Sequence, residues 1–141
     1  MTTKKIWDCL TKELMQAGPQ DLISWVFPEA TYVGELNTEL LKEPVRADLM
    51  YTVTWGGVQM GFHIEFQKRH DTNMGRRVWS YNARACDRTD LPIYSVVIYL
   101  VDDACSVVDP PYVITLPNGE IVHYFSFRNI KLWEIRVFSP A

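Results

Sequence analysis

A Gly56-Gly57 pair separates two stretches in which apolar and polar residues alternate, and this arrangement constrains the fold more than any other part of the chain. Alternation with a period of two predicts β-strands over residues 45–55 and 58–67. Two glycines between such strands predict a hairpin with a two-residue turn. That turn places Trp55 opposite Val58, and every other opposed pair follows by counting outward from this one.

The predicted register gives the hairpin one apolar face and one more polar face. The apolar pairs are Trp55/Val58, Val53/Met60, Tyr51/Phe62, Leu49/Ile64 and Ala47/Phe66. The pairs on the other face are Thr54/Gln59, Thr52/Gly61, Met50/His63, Asp48/Glu65 and Arg46/Gln67. A slip by one residue would mix the faces, so the turn and the pattern support the same register. We therefore expect the apolar face to lie in the core and the other face to form an exposed polar ledge.

The remaining elements predict an α/β or α+β fold around a mixed sheet. Helices are predicted over residues 3–17, over 19–27 and from the capping pair Asp71-Thr72 to about Arg88, whereas residues 29–44 are expected to be irregular. The nearly continuous apolar run over 92–101 predicts a strand covered on both faces, reached by a helical crossover from the hairpin. A second hairpin over 112–116 and 121–127 and a last strand over 130–138 complete the set. Because no repeat or linker interrupts the chain, we expect one domain over residues 1–141.

Composition excludes several classes of protein. The 141 residues are 48% hydrophobic and 22% charged with a net charge of −3, which excludes a disordered chain and a basic surface over the whole protein. The longest nearly apolar run, residues 93–101, is much shorter than the roughly 20 residues that a membrane helix needs. Three cysteines without a CxxC pair, and no signal peptide, predict reduced thiols and a cytoplasmic location.

Two acidic residues face each other in the predicted hairpin. The Cβ atoms of opposed residues lie about 5 Å apart, so Asp48 and Glu65 would repel each other. At an effective dielectric near 20, two carboxylates about 4 Å apart repel by about 4 kcal/mol. A divalent cation between them would reverse the sign, and oxygen ligands suit Mg²⁺ or Mn²⁺. The alternative is that Arg46 or a helix arginine neutralises the pair, and we expect His63, a lone histidine on this face, to be structural.

A basic segment follows the acidic pair. Residues 68–88 contain six lysines and arginines against two aspartates, a local charge of +4 in a chain whose remainder is −7. On the predicted helix, Arg77, Arg84 and Arg88 lie on one stripe, and Tyr81 lies one turn after Arg77. A basic helix beside a metal-binding pair would suit contacts with phosphates. The alternative is an ordinary solvated helix face.

Several short motifs of this region occur together in one known family. They are Arg46-Ala47-Asp48, His63-Ile64-Glu65-Phe66-Gln67, the stretch from Met74 to Tyr81 and Leu91-Pro92-Ile93, and Lys131-Leu132-Trp133-Glu134 echoes a later motif. With these motifs, residues 29–101 resemble the Rpn family of recombination-promoting nucleases, which are also labelled transposases and belong to the PD-(D/E)XK nuclease superfamily. The set is moderately specific, whereas any one motif alone would be weak.

The resemblance implies a restriction-endonuclease-like core and a DNA endonuclease that depends on Mg²⁺ or Mn²⁺. Asp48 and Glu65 would bind the metal together with the backbone carbonyl of Phe66. Gln67, which would complete the catalytic set, stands where the superfamily usually has lysine. Glutamine can orient a water molecule by hydrogen bonding but supplies no positive charge.

DNA is the expected partner, and Arg46, Arg77, Tyr81 and Arg84 are its predicted contacts, with a homodimer left open as the assembly. Two rival functions also stay open. One is a transposase-derived module that binds DNA but has lost cleavage, and the other is a protein-interaction domain. Members of the family usually continue with a further helical region, which we expect to be missing from these 141 residues.

Overall fold

Helices and strands alternate along the chain in the order that the sequence predicts, apart from one additional strand over Thr31–Glu35. The computed structural model describes residues 9, 12–14, 16–36, 49–68, 71–102 and 107–135. The elements are α1 (Pro19–Val26), β1 (Thr31–Glu35), β2 (Leu49–Trp55), β3 (Val58–Gln67), α2 (Met74–Thr89), β4 (Ile93–Tyr99), β5 (Tyr112–Thr115), β6 (Ile121–Phe125), β7 (Arg128–Lys131) and a 3₁₀ turn (Leu132–Glu134).

Five of the strands form one mixed sheet with β3 in the middle. Their order is β1-β2-β3-β4-β7, and β5 pairs with β6 in a separate two-stranded sheet. Strands β1, β2 and β3 pair antiparallel, whereas β3 with β4 and β4 with β7 pair parallel. The chain crosses from β3 to β4 through α2. The predicted mixed α+β fold, with its antiparallel hairpin and parallel crossover strand, is therefore confirmed.

The glycine turn sets the register of the central hairpin as predicted. Gly56 and Gly57 have φ angles of 57° and 76°, the left-handed backbone that a two-residue hairpin turn of this kind needs. Trp55 pairs with Val58, and the ladder continues without interruption to the pair Leu49/Ile64. The predicted pairs that involve residues 46–48, including Asp48/Glu65, lie outside the described residues.

Both faces of the sheet are covered around His63 and Glu65, so the predicted polar ledge is buried there, and among its described polar residues Gln59, near the turn, is exposed. On one face, α1 packs on the apolar residues of the hairpin, and Leu22, Phe62 and Ile64 are fully buried there. On the other face, Met74 and Val78 of α2 pack on β4, and His63 and Glu65 of β3 are 0% exposed. His63 bonds to Ser95 of β4 and to Glu65 of its own strand, so these two buried residues have polar partners in place of water.

Local sequence signals explain where the helices begin and end. Helix α1 begins with Pro19, whose fixed φ suits a first helical position and whose missing N–H is not needed there. Helix α2 begins at Met74, after an Asp71 side chain that accepts a hydrogen bond from the Asn73 amide at 2.9 Å. It ends at Thr89 and is capped by Asp90, a residue with a left-handed φ of 56° whose amide donates to the Cys86 carbonyl.

Three predicted boundaries differ from the structure or lie partly outside it. Residues 29–44 were expected to be irregular, but Thr31–Glu35 form β1 at the edge of the sheet. The last predicted strand, 130–138, is shorter, because β7 ends at Lys131 and a 3₁₀ turn follows. Of the helix predicted over 3–17, residues 9, 12–14 and 16 are helical, Ala17 forms a bend, and the others are not described. Within the described ranges, no helix has the length and apolar character needed to cross a membrane.

Replacement of Gly57 by alanine should destabilise the protein through the backbone alone. A Cβ atom there would have nothing within 4 Å, but the positive φ costs an L-residue about 1–2 kcal/mol. Asparagine, which tolerates this conformation, should cost less. Gly34→Ala is the matched control, since its Cβ would also meet nothing within 4 Å and its φ is not in the left-handed range. Urea unfolding measures all three variants, and equal stability of Gly57→Ala and wild type would contradict the turn.

Tyr99 should make the protein less stable at alkaline pH. Burial, and then the nearby charges of Asp109 and Asp71, raise its pKa from 10.0 to about 12. The folded state therefore holds the phenolic proton more tightly, and this contribution is complete below pH 10 and is lost as the pH rises toward 12. In Tyr99→Phe, the fall in unfolding free energy between pH 8 and pH 12 should be smaller by about 2–3 kcal/mol. Identical pH dependence in the two proteins would contradict this prediction.

Candidate functional site

The central strand β3 supplies the residues that the sequence singles out for chemistry. Side chains alternate along a strand, so His63, Glu65 and Gln67 share the face that α2 covers. His63 and Glu65 are completely buried, whereas Gln67 at the end of β3 is half-buried. An ionisable side chain that loses all contact with water needs polar partners within the protein.

A chain of hydrogen bonds runs between the sheet and α2. The Nε2 atom of His63 lies 3.1 Å from Oε1 of Glu65, and its Nδ1 atom lies 2.8 Å from the Ser95 hydroxyl. Asn82 of α2 donates from Nδ2 to that hydroxyl at 3.0 Å and to the Ile93 carbonyl at 2.7 Å. The side chains of the four residues in this hydrogen-bonded series are all buried. They connect the carboxylate to the helix through the two central parallel strands.

Cys86 extends this chain at its far end. Burial raises the pKa of its thiol, although a backbone hydrogen bond at Ile93 opposes the effect. The thiol donates to Oδ1 of Asn82 at 3.4 Å. This contact occupies the amide oxygen and leaves the amide nitrogen of Asn82 for Ser95 and Ile93.

The second oxygen of Glu65 has a different environment from the first. Oε2 is buried and has no hydrogen-bond partner among the described residues. A guanidinium nitrogen of Arg77 lies 3.7 Å away, and this side chain is 38% exposed. The pair is too long for a hydrogen bond and supplies a favourable charge only. A helix arginine thus does approach Glu65, as one of the alternatives from the sequence expects.

The outer side of α2 forms a basic groove. It has a volume of about 460 Å³, and its lining residues are Asn73, Arg76, Arg77, Ser80, Tyr81 and Arg84. Their spacing of three and four residues places them on one stripe of the helix. Since Arg77 also faces Glu65, the buried carboxylate lies directly next to this groove.

Tyr81 orders the cationic side chains of the groove. The guanidinium carbons of Arg77 and Arg84 lie 5.7 and 5.2 Å from the centre of its ring. Contacts of this kind are worth about 0.5–1 kcal/mol each at exposed sites. The edge of the Tyr81 ring also meets His63, with 6.1 Å between the ring centroids. The tyrosine therefore links the groove to the buried chain.

The structure brings together most, but not all, of the predicted site residues. Arg77, Tyr81 and Arg84 line the groove. Asp48 and Arg46 lie outside the described residues, so their roles stay predictions. The Phe66 side chain packs against the α1 core, and the role of its carbonyl as a metal ligand also stays a prediction.

Sequence reasoning missed several members of the site. In the groove they are Asn73, Arg76 and Ser80; helical spacing relates Asn73 and Ser80 to Arg77, and Arg76 to Asn73 and Ser80. In the buried chain they are Ser95 and Asn82. No sequence signal marks Ser95, because it lies inside the apolar run of β4. The expected structural role of His63 agrees with its burial, but its bond to Glu65 makes it part of the site.

The serine, histidine and glutamate contact one another in the manner of a nucleophilic triad, but the geometry does not support that chemistry. Ser95 is 1% exposed, so a substrate has no access to its hydroxyl. A triad also needs an oxyanion site beside an exposed nucleophile. We therefore interpret the three residues as a support for Glu65.

Whether the described residues suit a divalent cation depends on the carboxylate of Glu65. Among the described residues, no three side chains of His, Cys, Asp or Glu converge as a metal-binding group. Within the described ranges, Oε2 of Glu65 is a buried carboxylate oxygen without a hydrogen bond, which makes it an acceptor suited to a cation. Its donor type matches the oxygen preference of Mg²⁺ and Mn²⁺.

Comparisons of the chain with models of protein families, with curated proteins and with solved structures gave no match.

Removal of the Glu65 carboxylate should destabilise the protein even without any ligand. Glu65→Ala leaves the ring N–H of His63 buried without an acceptor, which should cost about 2–3 kcal/mol. Glu65→Gln keeps an acceptor oxygen for His63 and should cost less than the alanine variant. Urea unfolding in the presence of a metal chelator measures both. If Glu65→Ala is as stable as wild type, the hydrogen bond between His63 and Glu65 does not stabilise the fold, and the prediction is wrong.

Proposed function

We propose that this protein is a metal-dependent nuclease that hydrolyses DNA phosphodiester bonds. The observation that carries the proposal is the position of Glu65. It is a fully buried carboxylate with one oxygen bound by His63 and the other next to a groove lined by arginines. An acidic ligand for a cation beside a surface for polyanions is the combination that phosphodiester hydrolysis needs.

The order of the elements also supports the proposal. The resemblance implies a restriction-endonuclease-like core, which we expect to contain an antiparallel hairpin, a crossover helix and a buried parallel strand. Strands β2, β3 and β4 and helix α2 have this arrangement. Glu65 lies on β3, the strand that the antiparallel hairpin and the parallel pair share.

In the proposed site, Asp48, Glu65 and the Phe66 carbonyl hold a Mg²⁺ or Mn²⁺ ion. When bound, the ion lowers the pKa of a coordinated water and stabilises negative charge on the phosphate. Glu65 offers Oε2 for this purpose, because His63 already occupies Oε1. Arg77 contacts the carboxylate by charge without a hydrogen bond, and because its side chain is 38% exposed, the same guanidinium also faces the groove where a phosphate would bind.

The groove residues bind the substrate backbone in this proposal. Arg76, Arg77 and Arg84 place three positive charges on one side of α2, and Tyr81 holds two of them in place. Guanidinium groups bind phosphate oxygens through paired hydrogen bonds and do so without regard to base sequence. Gln67, on the face of Glu65, orients the attacking water by a hydrogen bond but adds no charge.

The nicking of supercoiled DNA tests the proposed function. Wild-type protein should nick the plasmid with Mg²⁺ or Mn²⁺ and should not do so with a chelator. Glu65→Gln should lose nicking, because an amide is a poor metal ligand, yet it should retain DNA binding through the arginines. Gln67→Lys should nick at least as fast as wild type, since it adds a charge near the developing phosphate oxygens.

The same assay separates the rival functions. Binding without cleavage in either metal, also by Gln67→Lys, would favour a DNA-binding module that has lost its activity. Neither binding nor cleavage at low salt would favour a protein-interaction domain. Nicking by Glu65→Gln at the wild-type rate would reject the proposed site.

Loss of a groove arginine should weaken binding to all DNA sequences alike. For Arg84→Ala, we expect the slope of log affinity against log salt concentration to decrease by about 0.9, the value for one phosphate contact. The matched control is Lys12→Ala, which removes one positive charge at an exposed position that does not line the groove. Fluorescence anisotropy on duplexes of two sequences measures both variants. Equal slopes in both variants would contradict the role of the groove.

A further inference from the structure

The donor and the acceptor of each buried hydrogen bond between Asn82 and Glu65 can be assigned, starting from Asn82. A backbone carbonyl only accepts hydrogen bonds, so the Asn82 atom that lies 2.7 Å from the Ile93 carbonyl is the amide nitrogen. That nitrogen has a second hydrogen, which it donates to the Ser95 oxygen at 3.0 Å. The thiol of Cys86, which donates to the amide oxygen, supports the same orientation of Asn82.

The orientation of Asn82 determines the next two donors. Among the described residues, the Ser95 hydroxyl has two side-chain partners, and because Asn82 donates to it, the His63 Nδ1 atom 2.8 Å away is the acceptor left for its own O–H. An Nδ1 atom that accepts from Ser95 has no hydrogen, so the ring hydrogen of His63 is on Nε2. That N–H donates to Oε1 of Glu65 at 3.1 Å. The donors therefore run from Asn82 through Ser95 and His63 to the carboxylate.

We propose that His63, held as the Nε2–H tautomer by Ser95 and Asn82, is the positioning residue that fixes the plane of the Glu65 carboxylate and leaves Oε2 as its ligand atom. The terminal torsion of a glutamate is otherwise broad and allows either oxygen to point toward a ligand. A hydrogen bond to one oxygen removes this freedom before a cation arrives. The ligand role of Oε2 rests on the proposed function, because it needs a bound cation. The tautomer of His63 does not rest on it.

Nitrogen NMR of the histidine rings tests the tautomer without any metal or substrate. In protein labelled with ¹⁵N-histidine, Nδ1 of His63 should have the shift of a ring nitrogen without hydrogen, and Nε2 that of a nitrogen with hydrogen. The chain has three histidines, so the variants His70→Gln and His123→Gln assign the His63 signals by elimination. A hydrogen on Nδ1, alone or on both nitrogens, would overturn the proposal.

Mn²⁺ binding tests the consequence for Glu65. Ser95→Ala removes the donor to Nδ1 but touches neither Glu65 nor the groove, and we expect its Mn²⁺ affinity by calorimetry to fall about tenfold. Ser95→Thr restores a hydroxyl and should recover affinity. Ser24→Ala is the matched control, because it removes a half-buried hydroxyl with its own hydrogen bond from Gln20 on α1. Its affinity should equal that of wild type.

The outcomes distinguish this inference from the proposed function. Wild-type affinity in a folded Ser95→Ala would overturn the positioning role while leaving the nuclease proposal intact. No Mn²⁺ binding by the wild type would overturn the proposed function and the ligand role of Oε2 together. If Ser95→Ala does not fold, the tautomer of the wild-type protein alone decides, and a hydrogen on Nε2 only would support the proposal.

Discussion

The structure depends on a strand that must be buried on both of its faces. Once the Gly56-Gly57 turn pairs β2 with β3, Phe62 and Ile64 point toward α1, and His63 and Glu65 necessarily point toward α2. A strand cannot reorient single residues, because its side chains alternate strictly. A carboxylate is thereby forced into the protein interior, where it needs partners. Polar residues of β3, β4 and α2 meet that need, and the cationic stripe of α2 lies beside them, with Arg77 next to the carboxylate.

The parts of the fold that could be predicted are those with a local signal. The turn and the alternation determine the register of β2 and β3, and the uninterrupted apolar run of β4 indicates a strand covered on both sides. Coverage of the second face of β3 could not be predicted in the same way, because it depends on where α2 packs after its crossover. Strand β1 was missed since it is short, and its register shifts between Tyr32 and Gly34.

The residues of the candidate site likewise divide into those with a local sequence signal and those without one. Arginines at helical spacing can be recognised from the sequence, and so can Glu65 within its motif. Ser95 cannot, because a single serine in an apolar strand has no partner within its own segment. Asn82 lies on the stripe of α2 that otherwise buries Val78 and Ala85, so its role becomes visible only with β4 beside it. Long-range pairing, which brings residues 63, 82 and 95 together, is the information that a pattern of neighbours does not contain.

The position of Glu65 on the middle strand has a consequence for how the protein opens by thermal motion. Sheets fray from their edges, and here the edges are β1, with its irregular register, and the short β7. The segments that hold Glu65, His63 and Ser95 belong to β3 and β4, two of the three interior strands, and we expect their amide hydrogens to exchange with solvent last. The arrangement around the carboxylate thus survives partial opening of the periphery, and its geometry is lost only together with the whole cooperative unit.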